Sequence, residues 1–395
     1  MTVQDLQKEL KKHIRDYGMY IALFIIFVVF SIATDGVFIS SRNISNLLNQ
    51  TGYIAVIAIG MTLIIVIRHI DLSVGFLSGF LGAVAAIALV FWGLPVWLAI
   101  PVVLVLGIVA GLITAFPVAK LGIPSFVASL AGWLIYRGLL QLATQETGTI
   151  IIPNDTFNAI GNGYIPDIFA SEAFLPGVHK LTLFIGALII AWFIYSSIRS
   201  RKSKQSYEFE VVPADLFVIQ LAFVSVLIAV VTWILAGYNG LSWTLVIVLL
   251  VVAIYSFVTQ RTVLGRHIYA VGGNPEAAEL SGISVKKVTF IVFGSMGMLS
   301  ALSGILFASR LQSATTTAGT LLELDAIAAA YIGGVSAAGG VGNVVGSLIG
   351  AIVYTSLTSG MNLMGTDISL QYVVRGAVLL LAVIFDVTTR KLGTK

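Results

Sequence analysis

Residues 271–288 read VGGNPEAAELSGISVKKV, a polar island between segments apolar enough to be membrane spans. Asn274 is a good N-cap, and Pro275 suits the first helical position, where its missing N–H would be unpaired in any case. Glu276 sits where the helix dipole favours an anion, and Gly282 supplies a stop. The stretch therefore predicts a capped helix of about two turns, with Arg261, Arg266, Lys286 and Lys287 on its flanks. Such a helix does not belong in lipid, and the excess of cations around it places it on the cytoplasmic face. It reads either as a docking handle or as an ordinary loop helix.

Working outward, 58% of the 395 residues are hydrophobic and only 10% are charged. A soluble domain holds roughly 45–50% apolar residues, so the chain is expected to be an all-α polytopic membrane protein. The net charge of +4 comes from basic residues at segment ends, where membrane orientation explains them and no nucleic-acid partner is needed. The chain has no cysteine, which excludes disulfides, thiolate metal sites and cysteine nucleophiles. His69 has no second histidine or carboxylate at ligand spacing, so no metal site is expected.

Residues 1–18 carry Val3, Leu6, Leu10, Ile14 and Tyr17 at helical spacing, interleaved with Lys8, Lys11, Lys12 and Arg15. That pattern predicts an amphipathic helix on the inner surface. The rest, 19–395, is expected to be a single transmembrane domain. Spans of about 20 residues fall near 19–38, 51–67, 72–92, 95–116, 124–144, 180–198, 215–236, 241–259, 288–309, 321–338, 341–360 and 368–387. With both termini inside, most basic residues lie on the cytoplasmic side and only Arg42, Lys180 and Arg310 fall on or near the outer one. The longest outer loop, 145–180, is expected to be turn-rich rather than helical.

The order of motifs repeats. In the first half Asp71-Leu72 opens a small-residue helix, Gly107 and Gly111 mark the next, and Arg137-Gly138 follows. In the second half Glu323-Leu324-Asp325, Gly346 with Gly350, and Arg375-Gly376 come in the same order. The span count gives the two halves opposite orientations, as in transporters built from inverted repeats. Repeat one is expected at about 19–144, an inserted helix pair at about 160–236, repeat two at about 241–387 and the polar cytoplasmic loop at about 260–287. Gly75, Gly79 and Ala83, and likewise Ala326, Ala330 and Gly334, stand four residues apart and predict flat packing faces. The glycines at 333–334 and 339–342 predict a broken helix. Asp71, Ser73, Gly75, Gly79, Glu323, Asp325, Ala330 and Gly334 are the candidates for the translocation path or for helix packing, with Asp71 and Glu323 read as helix caps and the arginines as structural.

No phosphate-binding G-x-x-x-x-G-K-[ST] and no hydrolase motif occurs, so the chain is expected to move a solute and not to be an enzyme. The run Gly273-Asn274-Pro275-Glu276-Ala277-Ala278, followed by Ser281-Gly282-Ile283, resembles the cytoplasmic loop of permease subunits in ABC-type sugar importers. Asp71-Leu72-Ser73-Val74-Gly75, Glu323 to Ala329, Ile332-Gly333-Gly334 and Gly339-Gly340 look like signatures of the ribose, xylose and galactose permease family. The inserted pair resembles the xylose branch in particular. The resemblance implies a bacterial inner-membrane homodimer, two cytoplasmic ATPases seated on the coupling helix and an external sugar-binding protein. It further implies D-xylose or another pentose as cargo, with ATP and Mg used by the partner ATPase and no cofactor on this chain. An ion-coupled secondary transporter is the alternative; it should carry a relay of buried carboxylates, and the mid-span sequence offers almost none.

Overall fold

The computed structural model describes residues 14–169, 175–207, 209, 211 and 213–393. Residues 1–13, most of the expected amphipathic helix, lie outside that range. In hydrocarbon every unpaired backbone N–H or C=O costs several kcal/mol, so each apolar run closes its hydrogen bonds within a helix. The helices are α1 Ile14–Ala33, α2 Ser41–Val66, α3 Val74–Val90, α4 Val96–Leu121, α5 Ser125–Thr144, α6 Asp155–Asn162, α7 Lys180–Ser206, α8 Ala214–Ala236, α9 Trp243–Arg261, α10 Val263–Gly273, α11 Pro275–Leu280, α12 Val285–Leu311, α13 Leu322–Ile332, α14 Val344–Leu363 and α15 Ile368–Gly393. Two three-residue strands, β1 Thr149–Ile151 and β2 Ser313–Thr315, pair antiparallel with Ile150 opposite Ala314.

Every expected span contains a helix, but their lengths differ from expectation. Among the described residues nine helices are long and apolar enough to cross a membrane, and the apolar stretches Gly18–Ala33 and Val74–Val90 are shorter. The span expected at 321–338 is cut to the 11 residues of α13, about 16 Å at 1.5 Å per residue, or half of a ~30 Å hydrocarbon core. Gly333 ends it, and Gly334 at φ +87° turns the chain away. The loop at 145–180 also departs from expectation, because it holds β1 and α6. Asn154 caps α6 by accepting from Phe157 N (2.9 Å), and the fully buried Phe157 pins it. Ser309 of α12 then donates to the Phe157 carbonyl (2.9 Å) and accepts from Gly161 N (2.6 Å).

The chain divides into two compact units: the described parts of Met1–Phe38, Leu47–Gly163 and Thr244–Lys395, and the described parts of Ile39–Asn46 and Tyr164–Trp243. In the first unit α12 is buried along most of its length. Lipid tails are as apolar as leucine, so close backbone approach does the holding. A Cβ on Gly107 or Gly111 would overlap the carbonyls of Gly297 and Phe293, and one on Gly82 would lie 2.8 Å from the Gly304 carbonyl oxygen. Gly346 and Gly350 instead meet the carbonyls of Gly333, just past α13, and of Ala329 on α13. The two glycine pairs that match in sequence thus serve different helix pairings.

In the second unit α7 packs on α8, with Gly186 directly against Thr232. Asp167 holds the start of α7 by accepting from the backbone N–H groups of Lys180 (2.7 Å) and Leu181 (3.1 Å), and it also accepts from Phe169 N (3.1 Å). Partial burial alone would raise its carboxyl pKa, but these three donors outweigh burial and hold it below the usual carboxylate value.

Candidate functional site

The polar island folds as a helix complete in itself. Asn274 Oδ1 accepts from Ala277 N (3.1 Å), and Pro275 takes the first position. At the other end Gly282 N donates to Glu279 O (2.9 Å) and Ile283 N to Ala278 O (3.0 Å), the paired bonds of a Schellman stop. That stop needs a left-handed residue, and Gly282 sits at φ +82°. Gly273, Asn274, Glu276, Ala277, Ser281 and Gly282 are exposed. The two alanines of the motif face differently: Ala277 points out, whereas Ala278 is 4% exposed and belongs to the core cluster that holds Val271 and Val288. Consecutive helical residues diverge by about 100°, so they do not share a face. The side chain that stands clear is Leu280, 91% exposed. Sequence reading missed it, although a leucine beside a glycine stop in an otherwise polar helix was the available signal.

Only Asn274 separates α11 from α10, and the end of α10 is locked to two other segments. Arg68, in the left-handed region at φ +64° just past α2, donates from Nε to the Gly272 carbonyl (2.7 Å) and from Nη2 to that of Gly273. Gly340 N donates to Val66 O (2.8 Å), and Tyr269 Oη donates to Gly342 O (2.6 Å). A Cβ on Gly340 would lie 2.8 Å from Gly273 Cα, and one on Gly339 would lie 2.8 Å from Gly272 O. Here the end of α2, the end of α10 and the glycine loop between α13 and α14 meet backbone to backbone. The junction combines these backbone contacts with the Arg68 side chain, and close-packed interiors transmit displacement.

The acidic motif Glu323-Leu324-Asp325 lies at the opposite end of α13 from that break. Asp71 and Glu323 are buried, and neither is a helix cap. Asp71 Oδ1 accepts from Ser73 N (3.0 Å) and Ser73 Oγ (2.6 Å), folding the chain ahead of α3, and Ser73 itself occupies the N-cap position without capping the helix through its side chain. This local bond is the Asx geometry, in which an aspartate carboxylate accepts from the backbone N–H two residues on. Glu323 lies inside the first turn of α13, with Leu321 at the N-cap position. Its Oε1 accepts from Trp133 Nε1 (3.0 Å), and a Cβ on Gly75 would overlap its other oxygen. Gly79 is set against the Ala318 carbonyl, so α3 presents its glycine stripe to the entry into α13. Asp325 accepts from Tyr354 Oη (2.5 Å) and lies 4.0 Å from Arg375 Nη1. Ala330 is buried in the core cluster. Gly334 is not on the flat face expected of it: it lies beyond the end of α13 with open space where a Cβ would go. Trp133 and Tyr354 were not singled out by sequence, because each joins its acid only through the fold.

The family model described as "Branched-chain amino acid transport system / permease component" matches residues 43–383. The chain is 39% identical over 376 residues to the xylose transport system permease protein XylH of Haemophilus influenzae, covering 95% of this chain and 96% of that one. It is 39% identical to XylH of Escherichia coli over 95% of this chain and 92% of the relative, and 35% identical to the ribose import permease protein RbsC of H. influenzae over 95% and 93%. No solved structure matches the chain. A polytopic helical chain without enzyme motifs, matched along nearly its whole length by transport permeases, belongs to this permease family, on the side of its ABC-type sugar permeases.

Proposed function

We propose that this chain is the membrane-spanning subunit of an ATP-driven importer and provides the path for a monosaccharide, D-xylose or another pentose, handed over by an external binding protein. Two copies form the path in a bacterial inner membrane with both termini cytoplasmic, and separate ATPase subunits bind ATP and Mg. The observation that carries this reading is α11: an exposed helix, fixed at both ends by its own bonds and joined through Arg68 to the broken α13–α14 hairpin. Leu280 and Ala277 enter a cleft of the ATPase, with Glu276 at the rim. ATP-driven closure of the ATPases moves α11 and, through the junction, the glycine loop beside the path. The 39% identity to two xylose permeases supports the pentose. Reconstitution of the complex with labelled sugars tests the proposal, which expects D-xylose uptake that stops on ATP depletion.

The burial of Asp71 and Glu323 gives the ion-coupled alternative an observation it lacked in the sequence. Against it, Asp71 is bonded locally and Asp325 has a guanidinium beside it, whereas a proton or sodium relay needs carboxylates free to exchange their ion. Uptake abolished by a proton ionophore while ATP is maintained would favour the alternative.

A further inference from the structure

A cavity of about 190 Å³ opens between α13, α14 and α15, with Asp325, Tyr354 and Arg375 on its wall and Tyr372 and Leu324 at its edge. Water occupies about 30 Å³ per molecule in the liquid, so the space suits one small polyol rather than a single solvent molecule. Its charged groups are not closed on each other. The Asp325–Arg375 separation of 4.0 Å exceeds the roughly 2.7–2.9 Å of a direct charge-assisted bond. Arg375 Nε is sealed from solvent with no hydrogen-bond partner. The guanidinium also lies over the Tyr354 ring, 5.7 Å from its centre. Leu324, Tyr372 and Val373 beside it are exposed, so the pocket opens through an apolar helix surface. A carboxylate and a guanidinium facing lipid there would be costly.

We propose that this pocket is a sugar-contact site along the translocation path, with Asp325 and Arg375 meeting neighbouring hydroxyls and the tyrosine rings and Leu324 lining the C–H face. The inference rests on the importer reading and on a second copy covering the open side. A hydroxyl both donates and accepts, so two adjacent ones donate to Asp325 and accept from the Arg375 guanidinium, bridging the gap between them. The site takes an uncharged polyol; a zwitterionic amino acid, with its carboxylate to Arg375 and ammonium to Asp325, is the rival occupant that the test addresses.

The chain has no cysteine, so Leu324→Cys in the reconstituted complex carries the chain's only thiol. With D-xylose at about ten times its Kd, maleimide labelling should slow about tenfold, because only the unoccupied fraction reacts. L-Leucine should leave the rate unchanged. Adding Asp325→Asn should remove the protection, while labelling of Ser203→Cys should be indifferent to sugar throughout. Leu379→Cys, on the same pocket, replaces Leu324→Cys should the latter fail to assemble. Labelling unaffected by xylose, protection that survives both Asp325→Asn and Arg375→Gln, or protection by leucine alone each overturns the site. The importer reading is judged separately, by ATP-dependent uptake through the unmodified complex.

Discussion

Replacing Arg68 with Ala removes both bonds that tie the end of α10 to the end of α2, the Nε bond to Gly272 O at 2.7 Å and the Nη2 bond to Gly273 O. Hydrogen bonds from a charged donor contribute about 1.5–3 kcal/mol each when protected from water. Arg68 is exposed, and solvent screening reduces the two together to about 2 kcal/mol, a factor of roughly thirty in the equilibrium that holds the junction closed. Insertion and subunit assembly should be normal, because the core beneath the junction is untouched. Sugar imported per ATP hydrolysed should fall about ten- to thirtyfold, measured by parallel uptake and phosphate-release assays on the same proteoliposomes. Arg68→Lys should be intermediate, since an ammonium lacks the planar fork that reaches two carbonyls. The left-handed backbone at this position supplies a control. Arg68→Gly relieves about 1–2 kcal/mol of strain while losing the same bonds, and it should be as uncoupled as the alanine variant. A wild-type ratio of sugar to ATP in Arg68→Ala, or full coupling in Arg68→Gly, would refute the transmission role.

At α11, Leu280→Ala should leave expression unchanged and, on the proposed docking role, reduce retention of the ATPase on purification, whereas Ala278→Trp forces bulk into the chain's own core at about 1–3 kcal/mol or more and should lower yield and thermal stability first. Gly79→Leu has the Ala318 carbonyl in its way and should fail to assemble, as judged by size-exclusion profile. Gly334 has space but a left-handed backbone, so Gly334→Asn should be better tolerated than Gly334→Leu by roughly 1 kcal/mol in unfolding experiments. The depressed carboxyl of Asp167 makes its cap of α7 present above the ordinary aspartate value of about 3.9 and lost as pH falls through its lower folded value. Hydrogen exchange at the Lys180 and Leu181 amides should therefore stay protected at neutral pH and open in acid, and Asp167→Asn should weaken the protection at pH 7.

How far the sequence could be read followed from the range of the interactions. Helices were legible because each apolar run satisfies its own backbone, and α11 was legible down to its caps because Asn274, Pro275 and Gly282 act within a few residues. The direction each residue of α11 faces was not, since the burial of Ala278 is decided by α12 and by Val271. The early end of α13 was half legible: the glycines marked a break, but only the fold shows that residues 333–343 leave the helix to meet Val66 and Gly272. Arg68 and Trp133 were opaque because their partners come from distant parts of the chain. The acids misled as caps because a carboxylate near a helix start satisfies the same rule whether it bonds the first turn, as a cap does, or a neighbour two residues on, as Asp71 does.

At 11 residues with two carboxylates in its first turn, α13 is too short to span a ~30 Å hydrocarbon core by itself. It is made after α12 and before α14, and has to wait beside them until Tyr354 and Arg375 emerge and reach Asp325. The guanidinium arrives only with the final helix. A chain truncated before α15 keeps the Tyr354 bond to Asp325 but lacks the guanidinium, and it should be cleared faster than the full chain in a pulse-chase experiment.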